Sequence, residues 1–267
     1  MIAFTKAHAC GNDFLVVEEP VAAADMPHVA KVLCARHTGV GADGVEFVSL
    51  ADNGAYSIRL FNADGSEAEI SGNGTRCVAA VLAQQDEAER FSLHTGAGLR
   101  RCRIINADGN RYIIETEMGR PILETQSITL RDGSVVNGVA VNMGNPHFVI
   151  FAEDRSPQDV PSNWQQMGAE ICVHPAFPEG VNVEFVRVTG TNRLFFHIYE
   201  RGVGPTQSSG TGTSASAAAA MQFRNMPRTL TVCSDGGDQQ VSWPSREMNL
   251  LLTGPAEIIA RGECFLL

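Results

Sequence analysis

The stretches SGNGTRCVAAVLA, residues 71–83, and SGTGTSASAAAAM, residues 209–221, are built to one pattern. Each opens with Ser-Gly-x-Gly-Thr and continues as a run of mostly small, apolar side chains. A loop of this kind at the start of a helix presents backbone N–H groups and the positive end of the helix dipole to an anion. A helix that is apolar nearly all round is typically enclosed by other elements. The sequence therefore predicts two buried helices, each with an N-terminus suited to a small anion.

The remainder of the chain repeats with a similar spacing. VEFVSL at residue 45 and VEFVRV at residue 183 have the same offset as the two serines, 138 residues (183 − 45 and 209 − 71). GNDFLVV resembles GNPHFVIF, LFNADGSEAEI corresponds to IYERGVGPTQS, and IIETEMGRPIL resembles LLLTGPAEII. The order is the same in both halves, so the sequence indicates two copies of one unit.

Strand patterns outnumber helix patterns in each copy. The predicted strands are 13–18, 45–50, 56–61, 91–95 and 112–117 in the first copy, and 147–152, 183–188, 194–199, 229–233 and 248–252 in the second. Further helices are predicted near 27–36 and 162–169. We predict an α/β fold of two pseudo-symmetric units, each a mainly antiparallel sheet wrapped around a central helix. The first unit would comprise residues 1–118 with the tail 256–267, and the second residues 119–255.

The composition is that of a folded globular protein, with 44% hydrophobic and 19% charged residues among 267. The net charge of −10 argues against nucleic acid and anionic membranes as partners. Seven cysteines, an odd number without a CxxC pair, indicate reduced thiols in the cytoplasm. The histidines are scattered without HxH or HExxH spacing, so no metal site is predicted.

The matched loops suggest a binding site. If the two copies are related by a pseudo-twofold axis, Ser71 and Ser209 can face each other, and a carboxylate suits the two helix N-termini. Either serine alone reads equally well as an ordinary helix cap. Asparagines precede strands or lie in polar loops of both copies, and their amides can both donate to and accept from an amino acid. Each asparagine alone could equally be a turn residue.

The segments GNDF, FNADGSEAE, SGNGTRC, GNPH, GVNVEF, YERGVGPT and SSGTGTSA occur in this order between residue 11 and about residue 216. With TGPAEII near the end, the series resembles the diaminopimelate epimerase family. The resemblance implies the same fold of two pseudo-symmetric units. It also implies inversion of an amino-acid α-carbon in the pathway to lysine and peptidoglycan precursors, with no cofactor: neither pyridoxal phosphate nor a metal.

In that family one cysteine thiolate removes the α-proton and a second cysteine thiol delivers a proton to the opposite face. The resemblance places these catalytic positions at Ser71 and Ser209. His147 lies in the GNPH segment, and Gly44 stands where the family has a substrate-contacting glutamine. The implied substrate-binding residues are Asn12, Asn62, Gly72, Asn73, Asn145, Asn182, Glu200, Arg201, Gly210 and Thr211.

Serine cannot simply replace cysteine in this chemistry. A thiol has a pKa of about 8.5 and a helix N-terminus lowers it further, whereas the pKa of an alcohol lies far above neutrality, close to that of water. The gap of about 7 units corresponds to on the order of 10 kcal/mol. A helix dipole, worth about 1 kcal/mol, does not close it.

Three explanations are compatible with the paired serines. The first is that the chain is a natural relative with different or assisted chemistry, such as another isomerisation or an elimination. The second is that it is an engineered Cys-to-Ser form. The third is that it is a diverged protein that only binds an amino acid. A serine hydrolase is disfavoured because a G-x-S-x-G motif is missing. In each of the first three the partner is a small-molecule amino acid, and a homodimer is compatible with the sequence.

Overall fold

The computed structural model describes residues 1–18, 25–50, 54–86, 88–152 and 161–265. The chain divides into two compact units, one formed by Met1–Glu117 with Thr253–Leu267 and the other by Met118–Leu252. The last two residues of the predicted tail, 266 and 267, lie outside the described residues. In the described parts of the chain, each unit combines many strands with two helices.

The first unit contains these elements in chain order: β1 (Ile2–Ala9), β2 (Asn12–Glu18), α1 (Met26–Cys34), β3 (Gly44–Leu50), β4 (Tyr56–Asn62), β5 (Glu67–Ala68), α2 (Gly72–Asp86), β6 (Arg90–Thr95), β7 (Gly98–Asp108) and β8 (Arg111–Gly119). The second contains β9 (Ile122–Thr129), β10 (Val135–Asn142), β11 (Pro146–Phe151), α3 (Trp164–Cys172), β12 (Asn182–Gly190), β13 (Arg193–Glu200), β14 (Gly204–Thr206), α4 (Gly210–Phe223), β15 (Thr229–Ser234) and β16 (Gly237–Ser242). The final strand, β17 (Leu250–Cys264), begins in the second unit and ends in the first.

Eight strands of the first unit pair into a closed ring, in the order β1, β2, β3, β4, β6, β7, β8 and β17, with β17 returning to β1. The pairs β2–β3 and β4–β6 are parallel. Parallel neighbours need a long connection, and here α1 and α2 supply it. The other pairs whose direction is assigned are antiparallel, so the ring is mainly antiparallel.

The second unit repeats this plan element by element. Strands β10 to β13 pair in sequence, with β11–β12 parallel as β2–β3 are. Strand β13 pairs in parallel with β15 as β4 does with β6. Strand β9 takes beside β10 the place that β17 takes beside β1. This correspondence confirms the predicted pseudo-symmetric fold class.

The central helices are buried as their composition predicts. Residues 72–82 of α2 and 210–221 of α4 are all buried. Strand β2 is covered on both faces, since Phe14 and Val16 join the core around α2 while Leu15 and Val17 pack with α1. The sequence of a strand that is buried on both faces is typically a continuous run of apolar residues.

The sequence prediction missed the strands β1, β5, β7, β9, β10, β14 and β16. Most side chains of β7 (GLRRCRIINAD) are exposed. Its sequence therefore shows almost none of the alternation of apolar and polar residues that predicts a strand. The predicted strand 248–252 starts later, at Leu250, and continues to Cys264. Among the described residues, no helix is long and apolar enough to cross a membrane.

Enclosure of α2 predicts a strong response to added volume. Ala80 has no exposed surface, so Ala80→Leu should lower the free energy of unfolding by about 1–3 kcal/mol, because a closed ring cannot easily make room. Urea titration measures this. The matched control is Ala107→Leu on the exposed part of β7, which should change stability by less than about 0.5 kcal/mol. An unaltered stability in Ala80→Leu would contradict a tightly enclosed helix.

Candidate functional site

Ser71 lies immediately before α2 and holds its first turn. Its hydroxyl Oγ accepts a hydrogen bond of 3.0 Å from the N–H of Gly74. The Thr75 hydroxyl donates to the Ser71 carbonyl at 2.7 Å. The serine therefore caps the helix, satisfying one of the N–H groups that a helix start leaves without an intrahelical partner.

Asn12, at the start of β2, reaches this helix start. Its Oδ1 accepts from Asn73 Nδ2 at 3.2 Å, and the Asn73 Oδ1 accepts from Arg76 Nη2 at 2.7 Å. Arg76 is fully buried and also donates to the carbonyls of Gly72 and Pro255. Burial lowers the pKa of the Arg76 guanidinium. These bonds fix the amide planes of both asparagines.

A network of ion pairs holds the side chain of Asn12 in place. Asp43 Oδ2 accepts from Asn12 Nδ2 at 2.8 Å, and Arg36 bridges Asp43 at 2.7 Å and Asp13 at 3.0 Å. Lys6 lies 2.9 Å from Asp13. Burial would raise the pKa of Asp13, but the hydrogen bonds from Lys6 and Arg36 outweigh it and lower the pKa. The hydrogen bond to Asp43 therefore orients the Asn12 amino group toward the Asp43 carboxylate.

Glu46 of β3 lies beneath the start of α2. Its side chain is almost completely buried, and a Cβ at Gly74 would clash with its Oε1. Burial raises the pKa of Glu46 to about 8. Glycine at position 74 is thus required by the close approach of a carboxyl group to the helix backbone.

The second unit repeats the helix start with different polar groups. Ser209 is the N-cap of α4, and its Oγ accepts from Gly212 N–H at 3.2 Å. Thr211 Oγ1 lies 3.3 Å from Ser209 Oγ and accepts from Asn145 Nδ2 at 3.4 Å. Ser209 and Thr211 are buried and Asn145 is half-buried.

A buried acid–imidazole pair lies behind Asn145. His147 Nε2 is 2.9 Å from Asn145 Oδ1, and His147 Nδ1 is 2.6 Å from Glu184 Oε1. Both side chains of this pair are fully buried. Burial raises the pKa of Glu184, although the His147 ring partly offsets this. A Cβ at Gly212 would lie 2.9 Å from Glu184 Oε1, which repeats the crowding at Gly74.

Asn182 and Glu200 of the second unit also make hydrogen bonds. Asn182 Nδ2 donates to the Pro146 carbonyl at 3.1 Å, and Asn182 Oδ1 accepts from Arg201 N–H at 2.9 Å. The Thr206 hydroxyl donates to Glu200. Asn182 thus ties the start of β12 to the turn after β13.

Asn62 adopts the role of a turn residue. Its backbone exchanges hydrogen bonds within the turn 62–66, and its Nδ2 donates to Ser66 Oγ at 3.0 Å. Among the described residues, hydrogen bonds connect Asn73 with Asn12, whereas Ser71 bonds to the first turn of α2 and Asn62 bonds within its own turn.

Sequence reasoning missed Glu46, Glu184, Asp43 and Arg76 as parts of these networks. A signal was present for the two glutamates, because each is the second residue of a VEF segment inside an otherwise apolar strand. Nothing in the sequence indicates that Asp43 contacts Asn12, 31 residues earlier. No group of three or more potential metal ligands lies among the described residues.

The raised pKa of Glu46 predicts a pH-dependent stability. The folded state holds the proton up to about pH 8, whereas the unfolded carboxyl releases it near 4.5. The contribution of Glu46 to the free energy of unfolding should be fully present below pH 4.5. It should fall by about 1.4 kcal/mol per pH unit as the pH rises toward 8. Glu46→Gln should remove this contribution and be more stable than the original protein at pH 8.

Urea titrations between pH 5 and pH 8 measure the difference in slope. Glu263→Gln, at an exposed position of the same unit, is the control and should keep the original slope. Equal slopes for Glu46→Gln and the original protein would show that Glu46 is ionised in the folded state.

Comparison with known proteins gives a match along nearly the whole chain. The family model described as Diaminopimelate epimerase matches residues 4–124 and 139–259, so each matched segment contains one serine loop. The diaminopimelate epimerase of Pelotomaculum thermopropionicum is 37% identical over 278 residues, covering 97% of this chain and 98% of the relative.

Solved structures share the fold at lower identity. A probable proline racemase from Agrobacterium radiobacter with bound carbonate has a TM-score of 0.77 at 16% identity, covering 98% of this chain and 92% of that one. A hydroxyproline epimerase from Agrobacterium vitis with bound trans-4-OH-L-proline has a TM-score of 0.75 at 16% identity, covering 98% and 91%. These likenesses concern the fold alone. Since the family model and the sequence relatives both span nearly the full length, the chain belongs to the diaminopimelate epimerase family.

Proposed function

We propose that the chain is an amino-acid epimerase of the diaminopimelate epimerase type. It would invert an α-carbon by removing the proton from one face and returning a proton to the other. The observation that carries this proposal is the matched pair of Ser-Gly-x-Gly-Thr helix starts, one in each unit, within a chain of this family. One unit would supply the base and the other the acid.

The substrate would be a small amino acid, with diaminopimelate the first candidate. Its carboxylate would be held by N–H groups at the starts of α2 and α4, where the helix dipoles favour an anion. Amide side chains at both helix starts suit the mixed donors and acceptors of an amino acid. The proposed binding residues are Asn12, Asn62, Gly72, Asn73, Asn145, Asn182, Glu200, Arg201, Gly210 and Thr211. Such an enzyme would serve lysine and peptidoglycan precursor synthesis in the cytoplasm.

The chemistry assigned to the chain's own residues needs no cofactor, because both proton transfers are made by side chains at positions 71 and 209. The serines present there are helix caps with ordinary hydroxyl groups. Nearby cysteines do not take over the role. Cys77 is fully buried within α2, and burial raises the pKa of its thiol far above neutrality.

The proposal predicts a gain of activity when thiols are restored. Ser71→Cys combined with Ser209→Cys should increase α-proton exchange by orders of magnitude, because two groups would then titrate near the working pH. Either single replacement should do much less, since inversion needs a base on one face and an acid on the other. The chain as it stands should exchange slowly. Deuterium incorporation into LL- and meso-diaminopimelate, followed by NMR, measures all four forms.

Two results would contradict this prediction. Rapid exchange by the chain with both serines would reveal a base other than a thiolate. No gain in the double replacement, although calorimetry shows that it binds diaminopimelate, would mean that the acid–base geometry has diverged beyond the two positions.

The second candidate is a catalytically silent protein that binds an amino acid. The presence of serine at both acid–base positions favours it, because neither position carries a thiol while the implied substrate-binding positions other than Gly44 match the family. Calorimetric binding of an amino acid without deuterium exchange would support this candidate. The LL- and meso-diaminopimelate of the exchange assay serve as ligands for this comparison of the two candidates.

A further inference from the structure

In the second unit, the hairpin of strands β15 and β16 holds the chain that leads into α4. Gln239 of β16 donates from its side-chain amide to Ser208 Oγ at 3.2 Å and to Thr213 Oγ1 at 2.9 Å. Ser208 directly precedes Ser209, and Thr213 lies one helical turn after it, with its N–H bonded to the Ser209 carbonyl at 2.8 Å. One side chain therefore holds both ends of residues 208–213, which we call the Ser209 segment.

These contacts do not depend on which way the Gln239 amide is turned. A serine or threonine hydroxyl can donate or accept, so either end of the amide can bond to both hydroxyl groups. In each orientation the opposite end of the amide is left over, and in the structure this end, Oε1, has no hydrogen-bond partner among the described residues. Within that part of the chain, the side-chain hydrogen bonds of Gln239 thus go to the Ser209 segment alone.

Stability alone would favour an apolar residue in place of Gln239. Gln239 is 2% exposed, and Ser208 and Thr213 have no exposed surface. Its partner across the hairpin, Val232, and the next inward residue of β16, Val241, are both apolar and buried. A buried polar atom without a partner lowers stability. The amide at this place therefore indicates that the position of the segment it holds matters.

The corresponding hairpin of the first unit, formed by β6 and β7, bonds to the chain before α2 through its backbone. Ala97 N–H donates to the Glu69 carbonyl at 3.1 Å. In the second unit, Gly236 N–H donates to the Gln207 carbonyl at 2.9 Å. Each accepting residue lies two positions before the serine of its unit. Both copies of the fold thus bond a hairpin turn to the chain just before the serine.

The two hairpins differ in the side chain that faces the helix start. Arg100 stands in the first unit where Gln239 stands in the second, since each lies two residues after the glycine that begins its strand. Ile70 stands where the second unit has Ser208, and its side chain cannot form a hydrogen bond. Arg100 Nη1 bonds to the carbonyl of its neighbour Leu99 at 3.0 Å. Among the described residues, the first unit therefore has no side-chain bonds equivalent to those of Gln239.

We propose that Gln239 is a positioning residue for Ser209, which fixes the start of α4 against the hairpin of β15 and β16. Every contact in this assignment lies within the second unit. The assignment deepens the proposed function and rests on it only in that position 209 takes part in proton transfer. It gives that position no single role, since a reversible inversion requires the same group to remove a proton in one direction and to return it in the other.

Amide hydrogen exchange tests the hold on the Ser209 segment without a substrate. Gln239→Met removes both hydrogen bonds at similar volume and should speed exchange across residues 208–213 by roughly 5- to 100-fold, the worth of two hydrogen bonds. The matched control is Gln240→Met, the same change at the next, exposed residue, which should leave this exchange unchanged. Residues 69–75 of the first unit should be unaffected in both variants. Equal exchange of the Ser209 segment in Gln239→Met and the original protein would overturn the proposal.

A triple substitution separates positioning from stability. Gln239→Met combined with Ser208→Ala and Thr213→Val removes the polar groups on both sides together, which costs little stability when the shapes are kept. Its free energy of unfolding in urea should therefore lie closer to that of the original protein than that of Gln239→Met does, yet the Ser209 segment should still exchange faster. Original exchange in the triple variant would show that Gln239 only satisfies buried polar groups. The triple variant also carries the test if Gln239→Met does not fold.

The consequence for the reaction is measured in the form with Ser71→Cys and Ser209→Cys. Adding Gln239→Met should lower kcat for diaminopimelate about 10-fold or more in both directions, because a displacement of about 1 Å can cost about 100-fold in rate. KM should change by less than about 3-fold, because most of the proposed binding residues lie outside the Ser209 segment. An unchanged kcat would contradict the positioning role.

The failure of the proposed function has a different result. If the form with both thiols exchanges no α-proton while the Ser209 segment still exchanges faster in Gln239→Met, the proposed reaction is wrong and the hold of Gln239 on the segment stands.

Discussion

A helix that runs inside a closed ring of strands can carry only small or closely fitting side chains, and its first N–H groups must find partners away from bulk water. The Ala-rich segments of α2 and α4 meet the first demand, since both are buried over three turns. Ser71 and Ser209 meet part of the second as caps. The positive end of the helix dipole lies at each of these helix starts.

Pseudo-symmetry of the backbone does not extend to the polar groups around the two helix starts. Each unit places a glutamate of the central parallel pair against a glycine of the helix. In the second unit that glutamate bonds to His147, whereas Phe14 occupies the equivalent place in the first. Each copy of the duplicated fold therefore has the same kind of helix start. The hydrogen-bond environments of the two serines nevertheless differ.

Sequence patterns predicted the fold class and the two central helices because the repeat and the small apolar runs are local signals. They did not predict strands such as β7 and β16, whose outward faces are polar, nor the networks that hold Asn12 and Asn145. Asp43 contacts Asn12 only because β2 and β3 are parallel neighbours in register. Contacts of this kind depend on pairing across a long connection, and residue type alone does not reveal them.

Strand β17 gives the chain an unusual order of completion. Its first residues belong to the unit formed by Met118–Leu252, while the residues from Thr253 onward close the ring beside β1. A ribosome releases the N-terminus first, yet β1 must wait for the last strand before its unit is whole. The later half of the chain is contiguous and can be finished earlier. Truncation of the C-terminal strand would therefore damage the unit that holds the opposite end of the chain.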